Sequence, residues 1–312
     1  MSGWEVLSPG LQTTVQDQGR TGWRHLGVAR AGALDPHALA LANRMVGNPE
    51  SCAGLEITLQ GPRLRLRRPC RIALTGAAVQ AWWDDLPLPM GRPIRLPAGE
   101  LKLGAIRDGA RSWLAVAGGI GTAPVLGSRS TDLRGGFGGH DGRAIRAGDT
   151  LPVDAGEGPV RRPHFPAWWI DLDDPWTADR HVLRYVPSAH PAAAALGLQR
   201  WRIHPDSNRQ GLRLDGAALP AIGGGGVSEP VAVGTLQLPP DGRPILLLAD
   251  AQTVGGYPRL GHVIASDLGR AAQLRPGEAA HFEPIEPAQA RALALRHTHR
   301  LARLRLAIAQ RQ

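Results

Sequence analysis

The chain is poor in the features that mark disulfide-rich, zinc-binding and membrane proteins. Its two cysteines, Cys52 and Cys70, lack the spacing of a disulfide scaffold or a zinc site. No apolar run approaches the ~20 residues that a membrane-spanning helix needs, and the N-terminal residues lack the basic-then-apolar pattern of a signal peptide. We therefore expect a cytoplasmic protein with no metal site and no membrane partner.

Lysine is almost absent, although the net charge is +9. Lys102 is the only lysine, and the arginines are scattered along the chain without a basic tract. The densest group is Arg63, Arg65, Arg67 and Arg68, and the first three alternate with leucines, as on the exposed face of a half-buried strand. No stacking aromatics lie among these arginines, so the sequence argues against a nucleic-acid partner.

Glycine and proline are abundant, with 40 and 27 residues, and separate short apolar runs. This composition favours many short strands joined by tight turns, so the predicted fold is mainly β. Two helices are expected: one capped by Asp35, with Pro36 in its first turn and Gly47 at its end, and one in the tail from Pro287. The polar segment that begins at Pro9 and continues to Gly27 is predicted to be a long displayed loop.

The composition also changes along the chain, which predicts its division into domains. We expect an N-terminal β lobe at 1–155, a Pro/Trp-rich linker at 156–180, a C-terminal β lobe at 181–286 and a helix at 287–312. The tetrapeptide Gly-Arg-Pro-Ile occurs once in each lobe and hints at a duplicated barrel.

The segment Asp250–His262 is the most informative, because it follows the apolar run 245–249 and sets polar side chains among glycines. Gly255 and Gly256 suit a positive φ or a close approach to a ligand. The amide, hydroxyl, phenol and guanidinium groups in this segment suit a small ligand that carries amide and carboxylate groups. An ordinary glycine hairpin is the alternative that the segment alone leaves open. The glycine-rich stretch 117–131 lacks a lysine and contains Pro124, so it does not match a phosphate-binding loop.

Several of these segments together resemble one family, that of the bacterial 5-oxoprolinase C subunits. The family is also known as allophanate hydrolase subunit 2 or biotin-dependent carboxyltransferase, and it includes KipA-like antagonists of a kinase inhibitor. The matching segments follow one another in the expected order: 10–20, 32–35, 42–43, 46–48, 126–131, 142–143, 148–149, 207–209, 211–214, 227–230, 237–242 and 250–262.

The resemblance implies two cyclophilin-like β-barrel domains with few helices and a C-terminal helix. It also implies a subunit, inactive alone, of an ATP-dependent enzyme that opens 5-oxo-L-proline to L-glutamate. The implied partners are a KipI-like B subunit and a LamB/YcsF-like A subunit. ATP is expected to act at the level of the complex. The alternatives are a biotin-dependent carboxyltransferase component, with biotin on a separate carrier, and a non-catalytic KipA-like regulator.

The resemblance and the loop chemistry together nominate a set of substrate-binding residues but assign no catalytic residue. A loop-anchoring role is the alternative for each of them. The family usually has Met at position 210 and Thr at position 254, where this chain has Gln210 and Val254. The nominated residues are Gln252, Thr253, Tyr257, Arg259, Ser128, Arg129, Ser130, Asn208, Arg209, Gln16, Asp17 and Arg20.

Overall fold

A computed structural model describes residues 3–154, 156, 158–171, 179–220 and 226–312. The chain is mainly β, as the sequence predicts, and divides into two compact units. Unit 1 comprises 1–20, 31–175 and 302–312, and unit 2 comprises 21–30 and 176–301. The predicted domain borders stay a prediction. Within the predicted linker at 156–180, residues 157 and 172–178 lie outside the part of the chain that the structure describes. Among the described residues, no helix has the length and apolar character needed to cross a membrane.

Unit 1 is built from two antiparallel sheets. The six-stranded sheet has the order β11-β1-β4-β9-β6-β7, and the five-stranded sheet has the order β2-β3-β10-β5-β8. Their strands are β1 (Trp4–Ser8), β2 (Gln12–Gln16), β3 (Gly54–Thr58), β4 (Arg63–Leu66), β5 (Cys70–Gly76), β6 (Val79–Trp83), β7 (Leu86–Pro87), β8 (Pro93–Leu96), β9 (Gly99–Ile106), β10 (Arg111–Val116) and β11 (Thr150–Leu151).

Buried side chains from both sheets form one apolar cluster. Leu64 of β4 and Leu101 of β9 come from one sheet, and Leu55 of β3 and Leu114 of β10 come from the other. Burial of each such side chain stabilises the fold by about 1.5–3 kcal/mol. The alternation of exposed arginine and buried leucine predicted at 63–66 is confirmed in β4.

Helix α1 (Pro36–Met45) begins as the sequence predicts. The Asp35 carboxylate accepts hydrogen bonds from the backbone N–H groups of His37 and Ala38, both at 3.0 Å, and this satisfies two of the donors that a helix start leaves without partners. The last helix, α3 (Pro287–Ala309), is also confirmed.

The displayed loop predicted from Pro9 to Gly27 is wrong over Gln12–Gln16, which form β2 in the five-stranded sheet. Thr13, Thr14 and Gln16 of this strand are buried, and the side chain of each takes part in a hydrogen bond. The Thr13 hydroxyl donates to the Pro9 carbonyl at 2.8 Å, and Gln16 Nε2 donates to the Thr131 carbonyl at 3.2 Å. Polarity therefore does not indicate exposure in this segment.

Unit 2 contains a closed barrel with the strand order β12-β19-β16-β17-β14-β13-β20. The first and last of its strands along the chain, β12 and β20, pair in parallel and close the ring. A separate short pair, β15 with β18, lies outside the barrel. The strands are β12 (Val182–Pro187), β13 (Arg200–Ile203), β14 (Gly211–Asp215), β15 (Glu229–Pro230), β16 (Thr235–Gln237), β17 (Ile245–Leu247), β18 (Val254–Gly255), β19 (Arg259–Val263) and β20 (Ala279–Pro284), with the short helix α2 (Leu268–Ala271) before β20.

Candidate functional site

Six of the nominated residues lie in unit 1, where Asp17 is the centre of a buried hydrogen-bond network. Its Oδ1 accepts from the hydroxyls of Ser128 and Ser130, each at 2.6 Å. Its Oδ2 accepts from the Arg129 backbone N–H at 2.5 Å. The carboxylate thereby fixes the loop 128–130 to the end of β2, and both serine hydroxyls act as donors within the protein.

Arg20 is buried beside this network and lies over an aromatic ring. Its Nη2 donates to the Ser130 carbonyl at 2.5 Å, and its guanidinium carbon lies 4.6 Å from the centre of the Phe137 ring. A side chain at Gly138, where φ is +71°, would collide with the same guanidinium group. Arg20 thus holds two segments of the loop region together through its charge and its flat face.

Gln16 and Arg129 complete the unit 1 group. Gln16 is buried, and its Nε2 donates to the Thr14 hydroxyl at 3.1 Å. Arg129 donates through Nε to the Thr122 carbonyl at 2.8 Å. The structure therefore brings all six unit 1 residues together.

An open depression of about 650 Å³ adjoins this group, lined in part by Thr122, Phe137 and His140. His140 Nε2 lies 3.4 Å from an Asp149 oxygen. Arg143 also binds that carboxylate through two hydrogen bonds of 2.7 and 2.8 Å. The Arg143 guanidinium lowers the pKa of Asp149 from 3.8 to about 2, so this carboxylate is ionised at neutral pH.

The other six nominated residues lie in unit 2, and Arg209 is the most deeply buried of them. Its Nε and Nη2 donate to the two Asp250 oxygens at 2.9 and 3.0 Å, and the two side chains are 3% and 2% exposed. The Asp250 backbone N–H also donates to the Arg209 carbonyl at 3.0 Å. This ion pair attaches the start of the loop 250–259 to the turn at 206–211.

Asn208 shapes that turn. Its Oδ1 accepts from the Gln210 backbone N–H at 2.8 Å, and its backbone N–H donates to the Gly211 carbonyl at 3.1 Å. These are the bonds of an Asx turn, which is the loop-anchoring role that the sequence leaves open for Asn208.

The loop 250–259 presents its nominated side chains in different ways. Tyr257 is exposed, and Arg259 is also exposed but forms an ion pair with Glu229. Gln252 is half-buried, and its Nε2 donates to Gln237 Oε1 at 3.3 Å. Thr253 is buried, and its carbonyl accepts from the Val231 backbone N–H at 3.0 Å. Gln252, Tyr257 and Arg259 therefore offer accessible polar groups.

The glycines of this loop do not adopt the left-handed φ that the sequence allows for them. Gly255 lies in the extended strand β18, paired with Glu229 of β15, and Gly256 carries no positive φ. An ordinary Cβ at Gly255 would lie 2.5 Å from Gln237 Nε2. Gly255 therefore does not serve a positive φ. It allows a close approach, and the group that approaches it is the side-chain amide of Gln237.

The nominated set omits Asp250, Glu229 and Gln237, although all three lie in segments that match the family. Asp250 and Glu229 pair with the nominated Arg209 and Arg259, respectively. Ion pairs between residues far apart in sequence leave no local pattern. Gln237 belongs to a matching segment at 237–242, and this was the available signal.

His262 of β19 is exposed, but the atoms around its ring partly exclude water, and this lowers its pKa because desolvation disfavours the charged imidazolium more than a backbone hydrogen bond at Val233 favours it. Its Nδ1 lies 3.5 Å from the Thr235 hydroxyl. The imidazole is thus neutral at neutral pH, and His262 is not a cationic binding group.

Comparisons with known proteins agree with the motif resemblance. A profile of the carboxyltransferase domain, subdomains A and B, matches residues 26–284. The chain is 38% identical over 283 residues to the 5-oxoprolinase C subunit of Escherichia coli, covering 89% of this chain and 90% of that protein. It is 34% identical over 292 residues to the 5-oxoprolinase C subunit of Haemophilus influenzae, covering 90% and 91%.

A solved structure shows the same fold within a larger protein. The urea carboxylase of Kluyveromyces lactis superposes with a TM-score of 0.87 at 29% identity, over 97% of this chain and 29% of that one. The resemblance inferred from the motifs is confirmed, since the profile spans most of the chain and the bacterial relatives match along nearly their whole length. The chain belongs to the carboxyltransferase domain family.

Proposed function

We propose that this chain is the C subunit of an ATP-dependent 5-oxoprolinase, which opens 5-oxo-L-proline to L-glutamate. The observation that carries the proposal is the 38% identity to a 5-oxoprolinase C subunit across 90% of that protein's length. The geometry supports it, because the loop 250–259 offers an amide, a phenol and a guanidinium group to a small polar ligand. We keep the nominated residues as proposed substrate-binding residues, and we assign the contacts to Gln252, Tyr257 and Arg259 of unit 2.

The proposed reaction needs more than one chain. The lactam oxygen takes the terminal phosphoryl group of ATP, and water then attacks the activated ring carbon. The C–N bond then breaks, and the ring nitrogen takes up a proton and becomes the free amine of an acyl phosphate. A second water hydrolyses this acyl phosphate to the carboxylate of glutamate and free phosphate. The residues of this chain bind and orient the substrate: Arg259 suits the carboxylate, because a guanidinium binds carboxylates through two parallel hydrogen bonds.

We assign the ATP-binding step to the partner subunits. The glycine-rich segment 117–131 has no lysine and is interrupted by Pro124, so it does not fit a phosphate-binding loop. The proposed partners are a KipI-like B subunit and a LamB/YcsF-like A subunit, and the chain alone is inactive. We place the complex in the cytoplasm, where ATP is available.

The second candidate is a carboxyltransferase component, favoured by the similarity to urea carboxylase. Biotin would have to arrive on another polypeptide. Lys102 is the only lysine of the chain, and its ammonium group lies 5.3 Å from the Trp82 ring, on a strand and outside a biotinylation motif. A biotinylated protein recovered with the chain, together with biotin-dependent turnover of urea, would favour this candidate.

The test is reconstitution. The chain is mixed with purified A and B subunits, and glutamate release from 5-oxo-L-proline is measured with and without ATP. We expect release only when all three polypeptides and ATP are present. Arg259→Met should raise KM more than it lowers kcat, because Arg259 binds the unreacting carboxylate. Full activity of the A and B subunits without this chain would refute the proposal.

A further inference from the structure

Gln237 is a buried amide that the fold turns toward the loop 250–259. It ends strand β16, and the register with β19 shifts at this point, from Leu236 opposite Gly261 to Gln237 opposite Arg259. Such a bulge re-aims a side chain and is common beside binding sites. Gln237 is only 1% exposed, yet it lies opposite the arginine that we assign to the substrate carboxylate.

Of the two polar atoms of the Gln237 amide, only the oxygen has a hydrogen-bond partner among the described residues. Its Oε1 accepts from Gln252 Nε2 at 3.3 Å. Its Nε2 is buried and donates to no acceptor among the residues that the structure describes. A buried donor without an acceptor destabilises a fold, so its presence calls for a role that the protein's own packing does not supply.

Gly255 packs directly against this donor. Its backbone is extended, so the glycine is not needed for a left-handed conformation. A Cβ there would lie 2.5 Å from Gln237 Nε2, closer than a side chain can approach. Gly255 thus lets the backbone of β18 lie beside the end of the Gln237 amide that finds no partner within the described part of the chain.

We propose that Gln237 and Gln252 form an amide-recognition pair that binds the N–H and C=O groups of the substrate amide. Gln237 Nε2 donates to the substrate carbonyl. Gln252 Oε1 accepts from the substrate N–H. It is available for this bond because Gln252 Nε2, and not Oε1, bonds to Gln237. This inference rests on the proposed function and deepens it, since it names the part of the substrate that each glutamine contacts.

The pair selects for one chemical class of ligand. A lactam holds its N–H and C=O on the same side, and urea presents the same two groups, so both match one donor and one acceptor. A lactone ring has an oxygen in place of the N–H and would set lone pairs against Gln252 Oε1. A site built to bond an N–H discriminates strongly against a ligand that lacks it, because a buried polar group is then left without a partner.

The first test is Gln237→Met in the reconstituted complex of the A, B and C subunits. Methionine has a similar length and no amide, so kcat/KM for 5-oxo-L-proline should fall about 10- to 100-fold. The Tm of the isolated chain should stay the same or rise, because the variant removes the buried donor. Gln199→Met is the matched control: Gln199 is a half-buried glutamine of the same unit whose amide bonds the Ala217 backbone, and this variant should keep full kcat/KM.

The second test uses the lactone analogue 5-oxotetrahydrofuran-2-carboxylate as an inhibitor. The wild-type complex should bind it at least about tenfold more weakly than 5-oxo-L-proline, and Gln252→Ala should abolish this difference. Wild-type kcat/KM in Gln237→Met, or unchanged discrimination in Gln252→Ala, would overturn the amide pair and leave the proposed function standing. A wild-type complex that binds neither 5-oxo-L-proline nor urea by calorimetry would overturn both.

Discussion

The buried ion pair between Arg209 and Asp250 gives the sharpest prediction about stability. Asp250→Asn keeps the shape of the side chain but removes its charge, so the Arg209 guanidinium stays buried without its counter-ion. Both groups are at most 3% exposed and are joined by two parallel hydrogen bonds. Removing one partner of such a pair costs about 3–5 kcal/mol, mostly because a charge is left buried.

The assay is chemical and thermal unfolding of the chain, followed by circular dichroism. At about 2–4 °C per kcal/mol for a folding unit of this size, Asp250→Asn should lower the Tm by roughly 10 °C. The double variant Arg209→Met, Asp250→Leu should recover most of this loss, since apolar groups of similar volume replace buried ion pairs at little cost.

The matched control is Asp215→Asn, which breaks the partly exposed pair of Asp215 with Arg243 in the same unit. An exposed pair contributes about 0–1 kcal/mol, so the control should shift Tm by no more than about 4 °C. Equal losses in Asp250→Asn and in the control would refute the reasoning. A double variant as unstable as the single one would also refute it, because the cost would then lie in lost packing and not in a buried charge.

Three further variants test other parts of the structure. Asp149→Asn should lower stability at neutral pH by at most about 2 kcal/mol, because Arg143 holds the pKa of Asp149 at about 2 instead of 3.8. A lowered pKa stabilises the fold above pH 3.8, so the Tm difference from wild type should vanish as pH falls toward 2; a constant difference would contradict this assignment. Ser130→Ala removes one donor to the buried Asp17 carboxylate and should cost about 2 kcal/mol in urea unfolding. Gly255→Ala should raise KM about tenfold, because its methyl group collides with the buried Gln237 amide and displaces it, and an unchanged KM would show that the position of this amide does not affect binding.

The parts of the fold that depend on local chemistry could be predicted from the sequence. Asp35 and Pro36 predict the start of α1, and the alternation in 63–66 predicts β4, because caps and strand periodicity are properties of neighbouring residues. Strand β2 was missed because its polar Gln16 donates to the Thr131 carbonyl, 115 positions away. A polar strand with distant partners has the same local pattern as a loop.

The candidate site likewise has a part that local sequence predicts and a part that depends on residues distant in the chain. Glycine framing and side-chain chemistry nominate Gln252, Tyr257 and Arg259, whose polar groups are accessible in the structure. The bulge that turns Gln237 toward them arises from the pairing of β16 with β19, and the partners of Arg209 and Arg259 come from other segments. Each of these features depends on tertiary pairing, which no stretch of the sequence encodes by itself.

The parallel pairing of β12 with β20 has a consequence for how the chain folds during synthesis. The ring cannot close when its first strand leaves the ribosome, since the strand that completes it ends at Pro284, about a hundred residues after Val182. Until then the edge of β12 is open to pairing with other chains. Contacts between such distant residues also slow folding, because a long loop must be closed before they can form. The C-terminal strand therefore controls the time during which the nascent chain can aggregate, and a ribosome stalled before residue 279 would expose an unfinished barrel.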